Sequence, residues 1–190
     1  MLFRSEWLKL GTDESPGTKL FCVSGHVTRP GLYELPFGAT IAEIIEIAGG
    51  IRGNGNLQAV LMGGAAGVFI GPENLDVPLI YEDARANGIP IGSGVIMVFD
   101  ETADLRHALY QLGHFFAHES CGKCFPCQIG TQRQMEILQS IAKNGGGTIS
   151  EKQKLFDIGF AMTETSLCGL GQTAASAVIS ALDRWPELIE

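Results

Sequence analysis

Glu119-Ser120-Cys121-Gly122-Lys123-Cys124-Phe125-Pro126-Cys127 is the stretch on which the reading of this chain turns. Three cysteines at two-residue spacing let one turn of backbone aim successive sulfurs inward. A C-x2-C-x2-C run can serve three irons of a four-iron cube, and such clusters are held by Cys thiolates. One iron is then left over, so a remote fourth ligand is required. Cys168, on a predicted loop between helices, can supply it. The expected cofactor is one [4Fe–4S] cluster on Cys121, Cys124, Cys127 and Cys168. The run lacks the C-x3-C-P continuation of two-cluster ferredoxins, because Gln128-Ile129-Gly130 follows Cys127. Zinc competes for four-cysteine or three-cysteine, one-histidine sites, and His118 stands three residues before Cys121. Zinc motifs usually pair their cysteines in two knuckles, so a third close Cys favours the cluster.

Around the ligands lie Gly122, Gly130, Gly169 and Gly171, which permit close backbone approach and free N–H groups for sulfur. Lys123 and Arg133 are cations that could stabilise a reduced cluster. The fifth cysteine, Cys22, sits in Leu20-Phe21-Cys22-Val23 and reads as a small buried hydrophobe of a strand.

The flanking sequence splits near residue 101. Before it come strand signals: Leu20 to Val27 and Gly31 to Leu35 as a hairpin, then Leu57 to Met62, Gly67 to Ile70 and Val95 to Phe99. Thr40-Ile41-Ala42-Glu43 is a capping box for a helix from Ile41 to Ala48, ended by Gly49-Gly50. After residue 101 apolar residues recur at helical spacing. Thr102 is the expected N-cap of a helix carrying Leu105, Leu109, Leu112 and Phe116. Ile129 to Ala142 forms a second helix, and Ser150 with Gln153 a capping box for a third, ending near Thr163. Ala175 to Leu182 marks a fourth. The class is α+β, with a small helical bundle after the mixed half.

The 190 residues carry net charge −8, from 13 basic and 21 acidic side chains, which argues against nucleic acid as a partner. Hydrophobic residues make up 45%, so a packed core is feasible. The longest nearly apolar stretch, Ala59 to Gly71, is too short and Gly-rich to span a bilayer. No signal peptide is read at the start, and a cytoplasmic location without membrane insertion is expected. His26, His107 and His114 read as structural or surface residues. The glycine-rich Gly49 to Gly55 follows a helix and precedes a strand, the wrong context for a phosphate loop.

Glu119 to Gln132 resembles the cluster motif of the NADH-binding flavoprotein subunit of respiratory complex I and its soluble relatives, the diaphorase subunits of NAD(P)-linked hydrogenases and formate dehydrogenases. Ser166-Leu167-Cys168-Gly169-Leu170-Gly171-Gln172-Thr173 resembles that family's distal-cysteine motif. Ser15 to Phe21 and Ser24 to Val27 resemble its linker and the start of its SLBB domain. The resemblance implies a linker over 1–18, an SLBB-type (ubiquitin-like) β-grasp domain over 19–101 and a four-helix [4Fe–4S] domain over 102–190. It implies that the four cysteines are the ligands. It further implies FMN and NAD(P)H on a preceding domain of the same subunit, absent here. Electrons would pass from that flavin through this cluster to a thioredoxin-like [2Fe–2S] subunit and a larger redox subunit. No residue of this chain is expected to bind FMN or nicotinamide, and this part alone is not expected to be catalytic. Gly169 and Gln172-Thr173 resemble the hydrogenase and formate dehydrogenase group more than complex I. Gln128 replaces a common Arg, and Ser176-Ala177 a frequent Asn-Pro. The rival readings are a zinc-stabilised interaction module and a ligand-binding β-grasp protein.

Overall fold

The computed structural model describes residues 2–189. The chain divides into two compact units, 1–103 and 104–190.

Unit 1 combines helices α1 (Leu2–Trp7), α2 (Ile41–Ile47) and α3 (Tyr81–Ala86) with strands β1 (Thr18–Gly25), β2 (Gly31–Pro36), β3 (Leu57–Met62), β4 (Val68–Ile70) and β5 (Val95–Asp100). The strands form one sheet in the order β2-β1-β5-β3-β4. β1 and β5 run parallel, and the other neighbours are antiparallel. Alternation along β1 sends Phe21 and Val23 into the core. The capping box of α2 forms as expected between Thr40 and Glu43. It fixes the helix so that Ile41, Ile44 and Ile45 face the same core as Phe21, Val23, Ile96 and Val98. Each such buried side chain contributes about 1.5–3 kcal/mol.

Cys22 departs from expectation. It is exposed, because the two-residue period that buries Phe21 and Val23 turns position 22 outward. The segment before β1 is tied down by side chains. Ser15 is buried, its hydroxyl donates to Glu82 Oε2 at 2.7 Å, and it accepts the Tyr81 N–H at 3.0 Å. Thr12 Oγ1 donates to the other carboxylate oxygen at 3.2 Å. Ser15 is the largest influence holding the Glu82 carboxyl below its ordinary range. A depressed carboxyl stabilises the fold above its unfolded pKa and loses that contribution as the pH falls through the folded one. The Tyr81 amide resonance should therefore shift in an NMR titration centred below pH 4.5. A midpoint at or above that value would contradict the latch.

Unit 2 is helical: α4 (Leu105–Glu119), α5 (Phe125–Asn144), α6 (Ile149–Thr165), the short α7 (Gly169–Thr173) and α8 (Ser176–Arg184). The cap of α4 is Asp104, which accepts the His107 N–H, and not Thr102. Thr102 instead donates both its N–H and O–H to Asp100, closing the end of β5. The capping box of α6 is Thr148 with Glu151, two residues earlier than expected. Thr148 completes the box because Glu151 then falls at the third helical position, where its carboxylate reaches back to the cap N–H. α5 begins four residues before the expected Ile129, since Pro126 is tolerated in a first helical turn.

The buried positions of α5 are Cys127, Thr131, Gln134, Leu138 and Ile141, a single stripe at helical spacing. α4 meets it closely at Gly113, where an added Cβ would lie 2.9 Å from Leu138. Leu155, Gly159 and Met162 of α6, and Ala177, Val178, Ala181 and Leu182 of α8, complete the interior. Arg106 donates to the carbonyls of Leu188 and Glu187, both at 2.7 Å, pinning the C-terminal turn to α4. Among the described residues no helix is long and apolar enough to cross a membrane.

Candidate metal centre

The cysteines sit at two corners between helices. In the first, α4 ends at its C-cap Ser120, the chain turns through Cys121, Gly122 and Lys123, and Cys124 is the N-cap of α5. Gly122 makes that turn with φ of 70°, which a side chain would strain. In the second, α6 ends at its C-cap Ser166, and Cys168 is the N-cap of α7. Gln172 Nε2 donates to the Ser166 carbonyl at 3.1 Å, and Thr163 Oγ1 to the Gln172 carbonyl at 3.1 Å, so the second corner is braced from both sides.

Helix phase explains the differing burial of the sulfurs. Cys127 begins the buried stripe of α5 and is itself buried. Cys124 is half-buried, whereas Cys121 and Cys168, on the turns, are exposed.

The two corners close on each other. The Leu167 N–H is the largest influence lowering the Cys124 thiol pKa, against an opposing effect of burial. The Cys127 N–H and the Ser166 hydroxyl lower it further. Hydrogen bonds to the charged form favour the thiolate, the form that binds metal. Across the same junction, a Cβ added at Gly171 would lie 2.3 Å from Ser166 Oγ and 2.9 Å from Cys127 Cβ. All four of Cys121, Cys124, Cys127 and Cys168 line one cavity of about 370 Å³, together with Glu119, Lys123, Leu167 and Leu170.

Among the described residues, no three Cys, His, Asp or Glu side chains gather tightly enough to hold a single metal ion. Four thiols around a shared cavity suit a group whose several metal atoms each take one sulfur. The donor chemistry fits as well: four soft sulfur donors, a Cys124 thiol held below its usual range, and a buried Ser166 hydroxyl without a hydrogen-bond partner among the described residues.

Other residues singled out in the sequence lie elsewhere. His118 is not on the cavity, and its Nδ1 faces Glu119 at 3.2 Å. Arg133 pairs with Glu136 one turn along α5 and does not line the cavity, so Lys123 is its lining cation. His107 contacts Gln111, the His114 ring lies against Tyr110, and His26 meets Asp100. The Gly49 to Gly55 stretch ends α2 and enters a 3-10 turn at Arg52–Asn54, with Gly49 and Gly50 at positive φ. Around the cysteines, Gly171 is sterically required, whereas a Cβ at Gly169 would meet open space. The sequence reading missed Ser120 and Ser166. The available signal was their place beside a ligand cysteine at the end of a predicted helix.

A cysteine-lined helical site of this kind belongs with metal-cluster proteins in its donor chemistry, and the comparisons with known proteins point to iron–sulfur. Residues 107–190 match the family model described as the NADH-ubiquinone oxidoreductase-F iron-sulfur binding region, and residues 20–65 match the SLBB domain. The helical half of the chain is thus similar to the iron-sulfur binding region of F-type NADH-ubiquinone oxidoreductase subunits, and part of unit 1 to the SLBB domain. The chain is 40% identical over 178 residues to the F-type subunit of NADH-quinone oxidoreductase from Mycobacterium bovis, covering 93% of this chain and 40% of that one. To the HndC subunit of the NADP-reducing hydrogenase from Solidesulfovibrio fructosivorans it is 36% identical over 181 residues, covering 94% and 37%. A crystal structure of NAD+-reducing [NiFe]-hydrogenase in the H2-reduced state superposes with a TM-score of 0.85 at 37% identity, covering 97% of this chain and 31% of that one. The chain therefore spans about two fifths of the length of the curated relatives it matches. Overall identity does not favour the hydrogenase group: it is 40% to the NADH-quinone oxidoreductase subunit and 36% to HndC.

Proposed function

We propose that Cys121, Cys124, Cys127 and Cys168 ligate a single [4Fe–4S] cluster. Through it the chain relays single electrons from a flavin-bearing, NAD(P)H-oxidising domain to a further iron–sulfur carrier. The observation that carries this reading is the shared cavity: cysteines as far apart in sequence as 127 and 168 line it together, and Gly171 closes the distal corner against Cys127. When bound, the cluster supplies a one-electron couple. The protein would supply four thiolates, backbone N–H groups that favour the charged form of Cys124, the Lys123 cation, and apolar Leu167 and Leu170 in the lining. Hydrogen bonding, charge and burial are the levers that set such a couple's potential.

The architecture fits the same reading. The sheet order β2-β1-β5-β3-β4, with α2 packed across it, suits a β-grasp domain of SLBB type. α4, α5, α6 and α8 suit a four-helix bundle with α7 as a short insert. The partners would be the FMN and NAD(P)H domain of the same subunit, a thioredoxin-like [2Fe–2S] subunit and a larger redox subunit, in the cytoplasm.

Anaerobic reconstitution tests the proposal. The protein should take up about four irons and four acid-labile sulfides per chain, the stoichiometry of this cluster type. It should turn brown and give an EPR signal when reduced by dithionite. One tightly held zinc and no iron would overturn it.

A further inference from the structure

Ser120 and Ser166 occupy equivalent places in the two corners. Each is the C-cap of the helix that leads into a ligand turn. Serine is favoured at helix N-caps, where its oxygen accepts free N–H groups. At a helix C-terminus it has no such task. Nearby threonines bond back to their own helices: Thr131 to the Cys127 carbonyl at 2.8 Å, Thr165 to Ala161 at 2.6 Å, Thr173 to Gly169 at 2.7 Å. The two serines do not. Ser120 Oγ lies 3.3 Å from Cys127 Sγ. Ser166 is only 6% exposed, and its Oγ meets no conventional partner among the described residues. It is packed beneath Gly171, which also closes on Cys127, and its hydroxyl is among the influences lowering the Cys124 thiol pKa. A buried hydroxyl without an acceptor is unfavourable, so its orientation calls for an acceptor in the site.

We propose that Ser120 and Ser166 each donate an O–H···S hydrogen bond, to Cys127 and Cys124 respectively, and that this pair raises the reduction potential of the bound cluster. The inference rests on the reading of the cysteines as ligands. Reduction brings in one electron from a low-potential donor such as a reduced flavin. No bond to the protein forms or breaks, and both protons stay on oxygen. The added negative charge is shared by the thiolate sulfurs, and hydrogen bonds strengthen as the acceptor gains charge. The hydroxyls therefore favour the reduced state. They are positioning residues, acting on the cluster through its ligands.

The decisive comparison is Ser166→Thr with Ser166→Val, two side chains of equal shape that differ only in the hydroxyl. Both variants of the full chain are reconstituted, assayed for iron and titrated potentiometrically with EPR detection. The valine variant should be about tenfold harder to reduce than the threonine variant, which is about 59 mV for a one-electron couple. Ser120→Ala should shift the potential in the same direction by less, because Ser120 is only half-buried. Loss of the cluster from the valine variant alone supports the same conclusion. A threonine variant that behaves as the valine variant does, in potential or in failure to assemble, overturns it. Wild-type protein that takes up no iron would instead remove the ligand assignment, so the two failures are separable.

Discussion

Replacing Cys168 with serine is expected to abolish stable cluster binding and to loosen unit 2, while unit 1 keeps its fold. Cys168 is the distal member of the proposed ligand set, and it lines the same cavity as Cys121, Cys124 and Cys127. With the cluster in place, residues 127 and 168 are joined by a cross-link. In the chain-entropy treatment used for disulfides, closing a loop of about 40 residues is worth roughly 4 kcal/mol. Metal binding and folding draw on the same free energy, so a lost ligand is felt as lost stability. In a domain of this size each kcal/mol corresponds to about 4–8 °C, and the helical transition should fall by on the order of 15 °C or more. Iron analysis and calorimetry of wild type and Cys168→Ser, both anaerobic, check this. A variant retaining four irons and the wild-type transition would remove Cys168 from the ligand set.

Gly171→Ala should be the most damaging conservative substitution in unit 2, whereas Gly169→Ala should be harmless. Both residues lie in α7, where alanine would ordinarily stabilise the helix by up to about 1 kcal/mol. At Gly169 the new methyl meets nothing within 4 Å. At Gly171 it would lie 2.3 Å from Ser166 Oγ, 2.6 Å from Ser166 Cβ and 2.9 Å from Cys127 Cβ. These are short side chains anchored at a helix end and on a buried stripe, so neither can swing clear. Overpacking of this kind costs about 1–3 kcal/mol. The strain falls on a proposed ligand and a hydrogen-bond donor, so iron occupancy should drop along with the transition temperature. Equal stability and iron content in the two variants would show that the corners close less tightly than described.

The elements carrying a strong periodic signal were legible from sequence. The Thr40–Glu43 capping box, the spans of β2, β3 and β5 to within a residue, and the presence of the four helices α4, α5, α6 and α8 follow from local chemistry, whereas β1 starts and ends two residues before the expected Leu20 and Val27. The errors fell where two local solutions compete. Thr102 is a good cap by composition, yet Asp104 sits closer to the apolar stripe and Thr102 is taken by Asp100. Ser150 and Thr148 both offer a hydroxyl, and the position of Glu151 decides between them. Cys22 looked interior because all its neighbours are apolar, but strand alternation outranks average hydropathy. At the site, spacing pointed to the four cysteines as a set. It carried no information on Arg133 pairing away, on Ser166 turning inward, or on the 2.3 Å approach at Gly171, because these depend on how two distant corners meet.

Cys127 shares its angular position with Thr131, Gln134, Leu138 and Ile141. α5 therefore works as an indexed shaft, in which the rotation that seats the apolar side chains also points the sulfur. One residue inserted between 127 and 131 would turn the sulfur by about 100° away from its seat while the interior kept its grip. Length variation in this lineage should accordingly be tolerated at the Gly145-Gly146-Gly147 link beyond the far end of the shaft, and be excluded from its first turns.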